Sequence, residues 1–223
     1  MKPIAYGAVA LIAAAAGFVI YRYALEPRVA TDAPMAQAQL PAQQVQQAQA
    51  RGAPGIPTEL PEFSLQGRDG QPRSIRSWPD KSMIVNFWAT WCAPCRREIP
   101  LLKTLQQQHG AEGFQVVGVA VDFREDVLKY AQDMAIDYPI LIGEQDGLEA
   151  VNKFGMGTLG FPFTVFTDRQ GRIVATHLGE LHQDQVDIIL GGVRRVNSGE
   201  LTPMAARAVV TRQLAGLASE AGS

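Results

Sequence analysis

Met83-Ile84-Val85-Asn86-Phe87-Trp88-Ala89-Thr90-Trp91-Cys92-Ala93-Pro94-Cys95-Arg96-Arg97-Glu98-Ile99-Pro100 passes from an apolar run of strand length directly into Cys-x-x-Cys, and then into a segment that reads as helix as far as His109. Pro94 suits the first helical turn, where its missing N–H costs little, and Pro100 is expected to kink the helix further along. A thiol at the start of a helix sits among unpaired backbone N–H groups at the positive end of the helix dipole, and both favour the thiolate. Cys92 is therefore expected to be exposed and acidic, and Cys95, one turn further in, more buried. On spacing alone the pair reads as a redox dithiol, half of a metal site, or a coincidence of sequence.

Outward from this stretch, strands and helices alternate. Phe63-Ser64-Leu65 and Ser74-Ile75 flank Gly67-Arg68-Asp69-Gly70 and read as a short hairpin. After the Cys-x-x-Cys helix come a buried strand from Phe114 to Val121, a helix near Glu125 to Ala135, a short strand from Tyr138 to Ile142 and a helix near Leu148 to Phe154. Phe163 to Thr167 and Arg172 to His177 form a second hairpin around Asp168-Arg169-Gln170-Gly171, followed by a helix from about Gln183 to Val196 and a last one from about Pro203 to Leu217. This order predicts an α/β fold, a mixed sheet flanked by helices on both faces.

The 223 residues, 47% of them apolar, suffice for one core with appendages. A net charge of −2 gives no basic face for nucleic acid. The chain has two cysteines in all, so they are not a framework of staples, and a reactive pair would have no other thiol to scramble with. From Ile4 to Tyr21 no charge occurs, and at about 1.5 Å per residue this run approaches the hydrocarbon thickness of a bilayer. Residues 1–23 are accordingly read as an N-terminal membrane anchor, with a cleaved signal ending near Ala14-Ala15-Ala16 as the alternative, and Lys2 favours a cytoplasmic N-terminus. Residues 24–58, rich in Pro, Gln and Ala, read as a flexible linker; 59–198 form the globular domain, and 199–223 a helical appendage.

The segment from Val85 to Pro100 resembles the active-site segment of the TlpA/ResA/DsbE group of periplasmic thioredoxin-like proteins. Pro61-Glu62-Phe63-Ser64-Leu65 resembles the group's opening strand, and Phe154-Gly155 through Gly160-Phe161-Pro162-Phe163-Thr164 the segment that carries its cis-proline. The resemblance covers roughly residues 60 to 196. It implies a thioredoxin fold with an N-terminal β-hairpin and a central helix-strand insertion between Asp122 and Gly143. It also implies a thiol:disulfide oxidoreductase with Cys92 as nucleophile and Cys95 as resolving thiol. Trp91 and Pro94 would support the site, Phe161 and a cis Pro162 would meet the client, and Glu98 would match an acidic residue near the active site of the cytochrome-maturation members. Thioredoxin itself carries a buried aspartate where this chain has Asn86, which shifts proton handling towards Glu98. Phe161 is bulkier than expected before the proline, which leaves client preference open.

The implied partners are a disulfide-containing client protein and, for a reductant, a polytopic membrane thiol-reducing transporter as electron donor. The implied location is the bacterial inner membrane, single-pass, with the catalytic domain in the periplasm. The clients implied are those of cytochrome c maturation or metal-site assembly. A disulfide oxidase or isomerase, and a non-catalytic binding module, are the alternatives. No cofactor is expected, and no metal, because His109, His177 and His182 lack paired ligand spacing and read as surface or loop residues. Glu98 has a blander reading as a solvated helix-face carboxylate, and Trp91 as a buried aromatic.

Overall fold

In a computed structural model, which describes residues 56–155 and 160–221, the run Ser82–Trp88 is an interior strand of a seven-stranded sheet and is buried along its whole length. In chain order the elements are β1 (Ser64–Gly67), β2 (Pro72–Ser74), β3 (Ser82–Trp88), α1 (Ala93–His109), β4 (Phe114–Val121), α2 (Arg124–Asp133), β5 (Ile140–Gly143) and α3 (Gln145–Asn152). They end with β6 (Phe163–Thr167), β7 (Ile173–Leu178), α4 (Gln183–Asn197) and α5 (Pro203–Ala221). The spatial order is β2-β1-β5-β4-β3-β6-β7. β3, β4 and β5 run parallel, as strands joined by crossover helices do, and β6 and β7 add antiparallel on the other side. The opening hairpin joins through β1, which pairs antiparallel with β5 of the inserted helix-strand unit.

Period-two alternation along β3 divides the core into two layers. Ile84, Asn86 and Trp88 face α1, where Ile84 and Trp88 pack with Ile99, Leu102 and Leu105 and with Val186, Ile189 and Val193 of α4. Val85 and Phe87 face the other way, into Leu65, Val119, Leu141 and Val151. On that side Phe87 is the hub of an aromatic group, with ring centroids 5.3 Å from Phe154, 5.8 Å from Phe163 and 6.3 Å from Phe63. α5 packs on α4 and β7, with Ala206 and Val210 in the core and the Arg207 guanidinium donating to the Ile173 carbonyl at 2.7 Å.

α1 continues through Pro100. Three expectations shift at the boundaries. α2 ends before Ala135, whose φ of 46° is left-handed and cannot continue a right-handed helix. β5 starts at Ile140, not Tyr138, because Pro139 has no N–H to give a neighbouring strand, although its carbonyl accepts from Gly118 at 2.9 Å. α3 begins at Gln145, three residues early, with Asp146 favourably placed in its first turn. Among the described residues no helix is long and apolar enough to cross a membrane. The segment 1–23 and all but the end of 24–58 lie outside the described residues.

Candidate active site

β3 delivers the chain to the end of the sheet, and a three-residue turn, Ala89 to Trp91, hands it to α1. The turn is tied down by Asp122 at the end of β4, whose Oδ2 accepts from both the Thr90 backbone N–H, at 2.9 Å, and the Thr90 hydroxyl. Cys92 is the N-cap of α1, and its Sγ accepts from the Cys95 N–H at 3.3 Å. Pro94 lies in the first turn, as its missing N–H allows. Cys92 and Cys95 form a disulfide, with Cα atoms 5.3 Å apart.

The two sulfurs are not equally placed. Cys95 is fully buried, whereas Cys92 retains 5% exposure. Cys92 is thus far more covered than expected, because capping turns its sulfur inward towards the helix end and the bond ties it to a core residue. Trp91 is exposed, at 68%, which removes the reading of it as a buried side chain. Its ring lies 6.0 Å from that of Phe161. Phe161–Pro162 is a cis peptide bond leading into β6, and the Pro162 carbonyl accepts from the Gly179 N–H at 2.8 Å. Trp91, the residue before Cys92, lines a groove of about 540 Å³ with Phe161, Phe123, Leu148, Asp122 and Glu144.

Behind the disulfide lies Glu98, at 1% exposure, which excludes the solvated-carboxylate reading. It sits one turn after Cys95 on the buried face of α1. Its Oε1 accepts from the Asn86 Nδ2 at 2.7 Å and its Oε2 from the Leu181 backbone N–H at 2.9 Å. Asn86 also donates to the Thr164 hydroxyl at 2.9 Å. Burial pushes the Glu98 carboxyl up to about 7, against the two hydrogen bonds, which favour the charged form, and with some help from the Glu180 charge. A carboxyl poised there can take or give a proton at neutral pH.

The residues that sequence reasoning missed are Thr164, Leu181 and Asp122. The sequence marks Asn86 only by what it replaces. The histidines stand apart from the site chemistry. His109 contacts Glu112 at 3.0 Å, and His182 caps α4. His177 is not a loop residue; it lies on β7, half-buried, and burial lowers its pKa. Among the described residues no three His, Cys, Asp or Glu side chains gather as a metal site.

A family model described as Redoxin matches residues 57–190. The thiol-disulfide oxidoreductase ResA of Geobacillus thermodenitrificans is 28% identical over 135 residues, 60% of this chain and 75% of that protein. The thioredoxin-like protein YneN of Bacillus subtilis is 31% identical over 133 residues, 58% of this chain and 75% of its own. Among solved structures, a thiol:disulfide interchange protein of the thioredoxin family from Chlorobium tepidum is 33% identical. It superposes with a TM-score of 0.54, covering 67% of this chain and 97% of that one.

Proposed function

The chain belongs to the Redoxin family, and from that premise we propose that this thiol-disulfide oxidoreductase reduces disulfides of client proteins outside the cytoplasmic membrane. The observation that carries the reading is the asymmetry of the pair: one sulfur at a helix mouth, next in the chain to the exposed Trp91, the other sealed in the core with a carboxyl that titrates near neutral pH one turn behind it.

In the reduced state the helix N-terminus favours the Cys92 thiolate. That thiolate attacks one sulfur of the client disulfide; a Cys92–client bond forms, the client bond breaks, and the other client sulfur leaves as a thiolate. Cys95 then gives its proton to the Glu98 carboxylate and attacks the Cys92 sulfur. The intramolecular disulfide forms, the mixed disulfide breaks, and the second client sulfur departs. Two electrons pass to the client, and the enzyme is left oxidised, as in the structure. Phe161, Pro162 and Trp91 meet the client segment, and Asp122 and Glu144 give the groove an acidic rim.

Re-reduction needs an electron donor, and a single anchor formed by residues 1–23 cannot carry electrons across a bilayer. A polytopic thiol-reducing transporter is the donor this chemistry calls for, with residues 24–58 as tether. The clients are proteins whose cysteines must be reduced before they are filled, as in cytochrome c maturation or metal-site assembly.

Cys95→Ala tests this in cells. Without the resolving thiol the mixed disulfide cannot collapse, so the full-length variant is expected to accumulate in covalent complexes that dissolve on adding reductant and are absent from Cys92→Ser/Cys95→Ala. If Cys95→Ala gives no such complexes beyond the double variant, the reading fails and a non-catalytic binding module takes its place.

A further inference from the structure

Strand register sets Gly118, Asn86, Thr164 and His177 side by side across β4, β3, β6 and β7, on the face covered by α1. Gly118 adds no side chain to this row, and its place is filled by neighbours: a Cβ there would lie 3.0 Å from the Trp88 indole Nε1 and 3.2 Å from the Tyr138 ring. Asn86, in the middle, has no exposed surface. Its Nδ2 directs both hydrogens at acceptors, Glu98 Oε1 and Thr164 Oγ1, while its own Oδ1 has no partner. A buried amide that could have been an apolar side chain, and that uses only its donor end, is costly unless the other end is also used.

The hydrogen-bond inventory shows when that happens. An ionised Glu98 is acceptor-only, and the observed arrangement suits it. Protonated, it must donate. Leu181 N–H occupies Oε2, so the proton goes to Oε1, where it would point at the Nδ2 hydrogens. Rotating the Asn86 amide by a half-turn puts Oδ1 in that place, to accept from the Glu98 O–H and from the Thr164 hydroxyl, which can reverse because it both donates and accepts. Two hydrogen bonds exist before and two after, while the unpaired end of the amide passes from Oδ1 to Nδ2. Aspartate could not do this in its charged state, and leucine could not do it at all.

We propose that Asn86 is a proton-linked amide switch, presenting Nδ2 to Glu98 and Thr164 when Glu98 is ionised and Oδ1 to both when Glu98 is protonated, so that the carboxyl exchanges its proton without losing a buried hydrogen bond. It is a positioning residue, and its purpose rests on the role given to Glu98 in thiol exchange. The other groups near Glu98 are Cys95 on its own helix, Glu180 ahead of α4, held by Arg97, Tyr138 ahead of β5, and His177 on β7. None of their side chains hydrogen-bonds to Glu98, Asn86 or Thr164 among the described residues.

The test uses the oxidised full-length chain, labelled with 15N-asparagine and 13C-glutamate, at pH 5 and pH 9. At pH 9 the Asn86 Nδ2 protons should show nuclear Overhauser contacts to the Thr164 side chain. At pH 5 those contacts should vanish, with a midpoint matching that of the Glu98 carboxyl carbon. Contacts that persist while Glu98 titrates overturn the switch and leave the thiol chemistry standing, as does a Glu98 that does not titrate in this range. If the switch is seen but Glu98→Gln leaves the pH profile of disulfide reduction unchanged, the role of Glu98 falls and the switch stands.

Discussion

Replacing Cys92 with Ser is expected to bring the reduction of insulin disulfides by the full-length chain, measured with dithiothreitol as electron source, to about 1% of the wild-type rate or less. The substituted serine keeps the helix cap, since a hydroxyl accepts from the Cys95 N–H as well as a sulfur does, so the loss reports chemistry and not a collapsed turn. Cys95 cannot stand in as nucleophile. It has no exposed surface and belongs to the same core cluster as Ile99 and Trp88, so a client sulfur would have to enter the core to reach it. Activity equal to wild type would remove the dithiol cycle altogether.

The second large effect is on stability, and Glu98 carries it. Its carboxyl titrates at about 7 in the folded oxidised chain and near the ordinary carboxyl value of about 4.5 when unfolded. Below 4.5 both states hold the proton, and the stabilisation that comes from a neutral buried acid is fully present. As pH rises from 4.5 to 7 the unfolded chain has lost the proton and the folded chain still binds it, so stability falls. Above 7 both are ionised and the loss is complete, at about 3 kcal/mol. Comparison with Glu98→Gln isolates this from every other titration. The difference in unfolding free energy between wild type and variant, from urea denaturation of the oxidised proteins, should move by about 3 kcal/mol against the wild type between pH 4 and pH 8. A difference that is the same at both ends would mean that Glu98 titrates at the same pH in the folded protein as in the unfolded chain.

The parts of this site that could be read from the sequence are those set by local physics. A strand of Met, Ile, Val, Phe and Trp, interrupted only by Asn86, has to be interior, and a cysteine followed by Ala-Pro-Cys at its end has to open a helix. The burial of Glu98 was also legible in principle. Cys95, Ile99 and Leu102 mark the apolar stripe of α1, and Glu98 falls inside it by the same three-and-four spacing. What could not be read are the partners that hold Glu98. Thr164 is 78 residues from Asn86 and Leu181 is 83 from Glu98, and they meet only because β6 pairs with β3 in one register and the loop after β7 returns over α1. The cover over Cys92 is of the same kind, since it depends on where a capping side chain turns once the disulfide closes.

Asn86 illustrates how a single residue can be read at two depths. As a substitute for an ionisable aspartate it looks like a loss of proton handling. Placed between a carboxyl and a hydroxyl, with one end of its amide unpaired, it becomes the group that lets another residue do that work.

Direction of electron flow is the centre of the account, and the reduction potential of the Cys92–Cys95 pair measures it. Equilibrated against defined dithiothreitol or glutathione buffers, the full-length chain is expected to show a value near the thioredoxin potential of about −270 mV. A value near about −120 mV, where the reduced form is so favoured that the pair oxidises its clients, would contradict the account.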